Sequence, residues 1–362
     1  MAAGNPIKRL FDLYTSDLSF DEIERLIKKE SAAVYEFYKT EIPEPVLDQN
    51  KFKRSLVFIR SFFNAFLMKL SPARRVFYLS ALLIFVVGIF SPNTAYIILS
   101  FLILNFLLAF ELADKLIVKD DIVLAKRIQK SLMPKAPYNN EHFEISAHSE
   151  AAREVGGDYI DIIESAKAEK TFVIIGDISG KGIAAALYMV RVQAILQFLI
   201  ENFSDIKKIT VEFKKYFSKK LEKDYFLTLS VASIDKKGKV KFCRAGHLPL
   251  IHFRNNEKIF NDINPSGIAI GFNDYGMFEK VLAEDSLKCE SNDILCFYTD
   301  GVTEAMNVYK DQFGVDRLKR IIAENHEKSA DEIKNKILET INRYRGNAEI
   351  NDDLSLILLK RK

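Results

Sequence analysis

Four acidic sites share one context, because each stands where an apolar run begins or ends and has a glycine or another acid beside it. They are Asp158 in REVGGDYID, Asp177 in IIGDISGKG, Asp300 in CFYTDGVTE, and Asp352-Asp353 in NDDLSLILL. Carboxylates that converged without partners would repel one another and raise their own pKa values, so convergence requires neutralising cations. Ligation by oxygen alone selects hard ions such as Mg²⁺ or Mn²⁺ rather than zinc. Two such ions about 3.5 to 4 Å apart can share a hydroxide and clamp a phosphoryl group in transfer.

The stretch TFVIIGDISGKGIAAAL, residues 171–187, predicts how one of these carboxylates is positioned. Its β-branched and aromatic run at 171–175 predicts a buried strand that stops at Gly176-Asp177. Gly180 and Gly182 predict a turn, and residues 183–198 have the apolar content of a packed helix. An aspartate between a strand end and a glycine turn is well placed to point into a cleft. Taken alone it would more often be a helix cap or a turn former, so the prediction rests on all four sites together.

The elements that must carry these sites follow from the hydrophobic pattern after Pro137. Short alternating runs predict strands at 142–148, 159–163, 172–175, 227–234, 239–244, 250–253, 294–298 and 354–359. Longer patterns predict helices near 183–202, 206–222 and 330–344. Strands in clusters with a few helices between them predict an α+β fold of antiparallel sheets with helices packed outside, and not a βαβ series.

In their order and spacing, the motifs resemble the metal-dependent protein phosphatase family of the PP2C type, specifically its bacterial SpoIIE-like branch of sporulation and stress-response serine phosphatases. The matching segments are EVGGD at 154–158, GDISGKG at 176–182, AGHLPL at 245–250, YTDGVTEA at 298–305 and DDLSLIL at 352–358. The segment LAKRIQKSLMP at 124–134 resembles the helix that precedes the phosphatase domain in many such proteins. The resemblance implies a PP2C-like sandwich of two antiparallel sheets flanked by helices. It also implies hydrolysis of phosphoserine or phosphothreonine on an anti-sigma-factor antagonist or a similar signalling protein.

Carried over by position, the resemblance implies a set of ligands for two Mn²⁺ or Mg²⁺ ions. They are Asp158, Asp177, the backbone carbonyl of Ile178, Asp300 and Asp352, with Asp353 as the alternative for the last. Arg153 holds the place of the family's phosphate-binding arginine, and a guanidinium fork suits a phosphate dianion. A surface arginine without a role is the alternative. The implied reaction is in-line attack by a metal-bridged hydroxide, for which Asp158, Asp177 and Arg153 are the candidate catalytic residues.

Other residues in these motifs receive structural interpretations. The histidine that serves as general acid in the eukaryotic branch has no counterpart after Asp177, so protonation of the leaving group is unassigned. For His247 in AGH we predict a turn-forming structural role, with replacement of the general acid as the alternative. For Lys181 we predict a solvated lysine in a glycine turn, with contact to a phosphate or a substrate carboxylate as the alternative.

Parts of the sequence suggest three other functions. GKGIAA fits a dinucleotide fingerprint, but a lysine-rich helix follows where a parallel strand ending in an acid is needed. A phosphate-binding loop fails because Gly182, with no hydroxyl for magnesium, follows Lys181. A catalytically inactive, membrane-tethered metal-binding adaptor of the same fold stays open as the alternative, although all four acidic positions are filled.

The sequence carries no charged residue between Arg75 and Glu111. The run splits at 91–94 into apolar segments of about 17 and about 19 residues, close to what a bilayer core requires. We therefore predict a two-span transmembrane hairpin at 75–113, with a buried soluble hairpin as the alternative. Basic residues flank both ends: Lys69, Arg74, Arg75, Lys115 and Lys119. The positive-inside tendency then places both termini and the phosphatase domain on the cytoplasmic side of the inner membrane.

Three further regions complete the predicted organisation. Residues 1–74 predict a cytoplasmic helical region, with a capping box at Ser19 and Glu22 and a basic, aromatic helix near 51–70 that suits a membrane surface or a core equally. Residues 114–136 predict a linker helix, whose imperfect heptads permit a homodimer without demanding it. Residues 137–362 predict the phosphatase domain. The 52 basic and 49 acidic residues give a net charge of only +3, which argues against a nucleic-acid partner. The family resemblance implies a phosphorylated protein as partner, and the predicted spans imply membrane lipid.

Overall fold

The computed structural model describes residues 51–362 and divides into two compact units, with the boundary between Ile117 and Val118. The capping box predicted at Ser19 and Glu22 lies outside the described residues. Among residues 51–137, three helices precede the sheets: α1 (Lys51–Lys69), α2 (Pro72–Phe90) and α3 (Ala95–Leu132). The break between α2 and α3 falls at the predicted position, where the Asn93 side chain accepts a hydrogen bond from the Ala95 N–H at 3.0 Å.

Small residues bring α2 and α3 into close contact. The Ser100 hydroxyl donates to the Ala81 carbonyl at 2.8 Å, and both residues are fully buried. A Cβ atom added at Gly88 would lie 2.9 Å from Cγ1 of Ile97. Close backbone approach at small residues is the usual packing of apolar helices that have no polar face. No helix-breaking residue interrupts α3, so the second predicted span and the predicted linker form one continuous helix.

Three of the described helices are long and apolar enough to cross a membrane: α2, α3 and α4 (Ile183–Asn202). Their burial differs. In α4, 44% of the most apolar window is buried, against 11% in α2 and 6% in α3. The apolar residues of α4, such as Met189, Val192 and Leu196, pack into a core beside a sheet. Packing within the protein therefore explains the composition of α4, whereas α2 and α3 leave most of their apolar surface exposed.

The second unit contains two antiparallel sheets. In chain order, the strands are β1 (Tyr138–Asn139), β2 (Phe143–Glu150), β3 (Tyr159–Ser165), β4 (Lys170–Ile178), β5 (Leu227–Asp235), β6 (Val240–Ala245), β7 (Leu250–Arg254), β8 (Ile259–Ile263), β9 (Glu284–Leu287), β10 (Ile294–Tyr298) and β11 (Leu354–Arg361). One sheet has the order β1-β2-β11-β10-β7-β8 and the other β3-β4-β5-β6-β9. Besides α4, five helices accompany them: α5 (Ile206–Ser218), α6 (Phe278–Val281), α7 (Asp300–Thr303), α8 (Val315–Glu324) and α9 (Ala330–Arg345).

Alternating side chains build three apolar layers across the two sheets. Val173 and Ile175 of β4 point into the core between the sheets, whereas Phe172 and Ile174 point outward against α4 and α5. The six-stranded sheet likewise buries its outer face against α8 and α9. Because both faces of the central strands are buried, those strands are nearly continuous apolar runs. The predicted α+β sandwich of antiparallel sheets with outer helices is confirmed.

Two predicted boundaries differ from the structure. Strand β4 does not stop at Gly176-Asp177 but continues to Ile178, because Asp177 and Ile178 still pair with Thr228 and Leu227 of β5. Helix α5 ends at Ser218 and not near 222, since Phe217 is its last buried residue and the lysines beyond it have no core to pack on.

Candidate metal centre

The topology gathers the predicted carboxylates at one edge of the sandwich. Asp158 immediately precedes β3 and Asp177 lies at the end of β4; these strands are antiparallel neighbours, with Tyr159 opposite Gly176. Asp300 follows β10, and Asp352 and Asp353 precede β11, which are antiparallel neighbours in the other sheet. In an antiparallel pair the start of one strand lies beside the end of the next. Each sheet therefore presents its acidic residues at the same end.

Asp158 is buried between the two sheets, with 3% of its surface exposed. Its Oδ2 accepts a hydrogen bond from the Thr299 hydroxyl at 2.9 Å, which joins β3 to the end of β10. Burial, followed by the negative charges of Asp177 and Asp353, raises the pKa of Asp158 well above its ordinary value. The charged form of this carboxylate thus requires a positive partner.

Asp177 lies among the same negatively charged side chains. Burial and then the charges of Asp300, Asp352 and Asp353 raise its pKa to about 7, against an opposing effect of Lys181. The pKa of Asp300 is raised by burial and by Asp352 and Glu304. These mutual effects mean that the structure brings the predicted aspartates together, as the sequence analysis expected.

The two adjacent acids before β11 have different partners. Asp353 is buried, and its two oxygens accept from the backbone N–H groups of Ala152 at 2.7 Å and Gly157 at 2.6 Å. Asp352 has a side chain that is 40% exposed, and its Oδ2 accepts from Nζ of Lys181 at 2.9 Å. Asp353 therefore fixes the loop that leads to Asp158, whereas the more exposed Asp352 accepts from Lys181 and, through its Oδ1, from the Asp353 N–H at 3.0 Å.

The carbonyl of Ile178 lies close to that loop. A Cβ atom added at Gly157 would be 2.8 Å from the Ile178 oxygen, so any larger residue would displace one of the two segments. Gly301 is under a similar constraint, because an added Cβ atom would lie 2.0 Å from the Asp353 carbonyl oxygen. Both glycines permit the close backbone approach that the centre requires.

The donor chemistry of the centre fits hard divalent cations, since its converging groups are carboxylate and carbonyl oxygens. In the described part of the chain, no group of three or more His, Cys, Asp or Glu side chains is placed to hold a metal ion as it stands. The contacts explain why: Lys181 holds Asp352, and backbone N–H groups hold Asp353. A ligand role for Asp352 would require its Oδ2 to exchange Lys181 for the metal.

The predicted phosphate-binding residue lies at the rim of the centre. Arg153 is exposed in the loop 151–157, one residue after the Ala152 N–H that holds Asp353. Lys181, predicted to be a solvated lysine, instead donates to Asp352 and to the Asn351 carbonyl, the latter at 2.5 Å. Its signal in the sequence was only a glycine-flanked lysine, which is too common to assign.

His247 lies behind the centre. It is buried, and its Nδ1 is 2.8 Å from the Thr228 hydroxyl, on the residue that pairs with Asp177. Burial lowers the pKa of His247 to about 4, so its ring is neutral at physiological pH. The structural role predicted for it stays a prediction.

Comparison with known proteins decides the family. The family model for Stage II sporulation protein E (SpoIIE) matches residues 167–362, more than half of the chain. The chain belongs to the SpoIIE family. The family confirms the resemblance predicted from the motifs, and with it the enzyme class of protein serine/threonine phosphatases.

Individual relatives of this SpoIIE-family chain are more distant. Phosphoserine phosphatase RsbU of Bacillus subtilis is 26% identical over 251 residues, which cover 68% of this chain and 71% of RsbU. Protein IcfG of Synechocystis is 26% identical over 266 residues, 65% of this chain but only 40% of that protein. The solved SiaA-PP2C domain of Pseudomonas aeruginosa has 18% identity and a TM-score of 0.60, covering 68% of this chain and 98% of the domain. The last comparison supports the sandwich fold.

Two residues of the centre were missed by the sequence analysis. Thr299 directly precedes Asp300, and Gln129 lies in the LAKRIQKSLMP segment of α3. Gln129 contacts the loop of Asp158 through the Gly156 backbone. Only the position of Thr299 beside a predicted ligand could have indicated it, whereas Gln129 carried no signal of its own.

Proposed function

We propose that this SpoIIE-family chain is a membrane-anchored, metal-dependent phosphatase that hydrolyses phosphoserine or phosphothreonine on a signalling protein of the anti-sigma-factor antagonist type. The observation that carries the proposal is the meeting of Asp158, Asp177, Asp300 and Asp352 at one end of the sandwich, where burial and neighbouring carboxylates raise the pKa values of Asp158, Asp177 and Asp300. The name of RsbU as a phosphoserine phosphatase supports the substrate class.

The ligands that we propose for two Mn²⁺ or Mg²⁺ ions are oxygens of Asp158, Asp177, Asp300 and Asp352 and the carbonyl of Ile178. When bound, the ions polarise the phosphoryl oxygens and acidify a water for in-line attack. Asp352 is favoured over Asp353 because both oxygens of Asp353 already hold backbone N–H groups. The Thr299 hydroxyl donates to Oδ2 of Asp158 and so orients this carboxylate.

Two cationic side chains are available for the phosphate. Arg153 is exposed at the rim, and a guanidinium can bind two phosphate oxygens at once. When Asp352 binds an ion, Lys181 is released from its carboxylate and its ammonium becomes free to meet an oxygen of the substrate. We propose that these two residues orient the phosphoryl group against the centre.

The membrane part of the proposal rests on α2 and α3. Their exposed apolar surface needs lipid to cover it, and the basic residues at both ends favour a cytoplasmic phosphatase domain. A cytoplasmic location of residues 1–74 and a homodimer through the linker part of α3 belong to the same proposal. Regulation would then act at the C-terminal part of α3.

Hydrolysis of a small aryl phosphate tests the activity. We expect turnover with Mn²⁺, none with a chelator, and a loss beyond about 100-fold in Asp177→Asn, which exceeds the usual cost of losing an outer-shell partner. Asp285→Asn is the matched control, because it makes the same chemical change at an exposed position in β9. Activity that ignores metal and survives Asp177→Asn would overturn the proposal. Metal binding without any turnover would instead support the inactive adaptor.

A further inference from the structure

The C-terminal part of α3 contacts the loop that carries Asp158 through one buried side chain. The primary amide of Gln129 donates from Nε2 to the Gly156 carbonyl at 2.6 Å, and its Oε1 accepts from the Gly156 N–H at 3.1 Å. Gln129 is 7% exposed. A buried amide keeps its place only when its polar groups are bonded, and here both bonds go to the backbone of one residue, Gly156.

Gly156 stands between Gln129 and the acidic residues. A Cβ atom added at Gly156 would lie 2.3 Å from Oδ2 of Asp353, so this backbone is in direct contact with that carboxylate on its other side. The next residue, Gly157, donates its N–H to the same oxygen, and Asp158 follows. A displacement of Gly156 therefore moves two carboxylates of the centre at once.

Packing alone does not hold this loop. A cavity of about 270 Å³ adjoins it, lined by Gln129, Gly156, Asp158 and Asp353 together with Lys126 and Met133 of the segment that leads into the domain. Interiors that are filled with side chains hold a loop by contact, but beside a cavity its position depends on directed hydrogen bonds. The two bonds from Gln129 supply that direction.

We propose that Gln129 is a positioning residue for the metal centre, which holds Gly156 so that Asp158 and Asp353 take the places in which the centre binds its ions. This inference rests on the proposed metal-dependent function. Docking of residues 118–132 and metal binding are then coupled, and each strengthens the other by the same factor.

The test uses the full chain in detergent and the substitution Gln129→Met, which keeps the length and apolar stem but removes both hydrogen bonds. Titration of Mn²⁺, with free ion followed by electron paramagnetic resonance, measures affinity whether or not the chain turns over. We expect Gln129→Met to weaken Mn²⁺ binding by about 10- to 100-fold, the usual cost of losing an outer-shell partner. Gln129→Glu keeps the bond from the Gly156 N–H, so its Mn²⁺ affinity should lie between those of the wild-type chain and Gln129→Met.

A second glutamine provides the matched control. Gln193 of α4 is also buried, and its Nε2 donates to the Leu132 carbonyl at 3.4 Å, so it contacts the end of α3 without contacting the loop of Asp158. Gln193→Met should lower thermal stability and leave Mn²⁺ affinity within about twofold. Equal loss of affinity in both variants, or none in Gln129→Met, would overturn the inference.

Hydrogen exchange keeps the inference testable if Gln129→Met does not fold. In the wild-type chain, saturating Mn²⁺ should slow amide exchange across residues 118–132, because binding and docking are coupled. Unchanged exchange would overturn the role of Gln129. Failure of the proposed function gives a different result: a wild-type chain that does not bind Mn²⁺, or that binds it without hydrolysing the aryl phosphate.

Discussion

Thr299 connects the two sheets at the metal centre, because its hydroxyl has partners from both. It donates to Asp158, which begins β3, and accepts from the Ser355 N–H of β11 at 3.0 Å. The residue is fully buried, so neither partner can turn to water instead. One hydroxyl thus satisfies a buried carboxylate and a buried amide together.

Replacing Thr299 by valine keeps the shape and removes this hydroxyl. We expect kcat/KM for an aryl phosphate to fall by about 10- to 100-fold, since Asp158 loses the partner that orients it. The free energy of unfolding should fall by about 1 to 3 kcal/mol, the cost of leaving a buried polar group unpaired. Thr340→Val is the control: that hydroxyl only bonds the Lys336 carbonyl within α9. Wild-type activity in Thr299→Val would contradict the orienting role.

His247 makes folding sensitive to acid. Burial lowers its pKa to about 4, whereas in the unfolded chain the pKa is about 6.5. Between these two pH values the unfolded chain binds a proton that the folded chain does not, so stability falls as the pH decreases. The complete effect is about 3 kcal/mol and is reached near pH 4.

The variant His247→Gln isolates this effect from that of the carboxylates. Their raised pKa values act in the opposite direction, but both chains carry them. We expect the variant to be less stable at pH 7 and the difference in unfolding free energy to shrink as the pH falls from 6.5 to 4. Urea unfolding followed by near-ultraviolet circular dichroism measures it. A difference that stays constant with pH would show that His247 is not kept neutral by the fold.

At the scale of elements, the sequence predicted the central strands and missed three others. β4, β5, β10 and β11 are buried on both faces, so their apolar runs are conspicuous. The missed strands β1, β8 and β9 are at sheet edges, where they pair on one side and expose many side chains. These three edge strands have no strong apolar alternation, unlike the edge strand β3, whose first residues are buried and which was predicted.

The site residues that were predicted have a local sequence pattern, whereas those that were missed depend on distant partners. The aspartates stand beside glycines or acids at strand ends, which is a local pattern. Thr299 and Gln129 owe their roles to partners 141 and 27 residues away in the chain. No local pattern reports such a contact. The carboxylates of the centre were therefore predictable from sequence, whereas the groups that orient them required the structure.

The composition of a helix alone did not show whether the helix spans a membrane or packs inside the protein. α4 is apolar enough to span a membrane, yet its residues fill the layer between α5 and the five-stranded sheet. α2 and α3 have similar composition and little burial. Hydropathy measures only the average character of a helix, and the surroundings decide whether protein or lipid covers it.

At the scale of the whole molecule, two features predict one membrane topology that can be tested. They are the exposed apolar surface of α2 and α3 and the distribution of basic residues. The connection at 91–94 should lie outside the cytoplasm, and the phosphatase domain inside. Impermeant maleimide distinguishes the two sides. Cys243 and Cys296 are buried and do not compete, and the half-buried Cys289 can be replaced by serine.

In a chain with Cys289 replaced by serine, Asn93→Cys should react with impermeant maleimide in intact cells, because Asn93 lies in the exposed connection between α2 and α3. Tyr309→Cys, at a side chain that is 82% exposed in the phosphatase domain, should react only after permeabilisation. Reaction of both positions in intact cells would contradict a cytoplasmic phosphatase domain. Protection of Asn93→Cys until the cells are opened would mean that the hairpin does not cross the bilayer, since a spanning pair of helices must expose its connection on the far side.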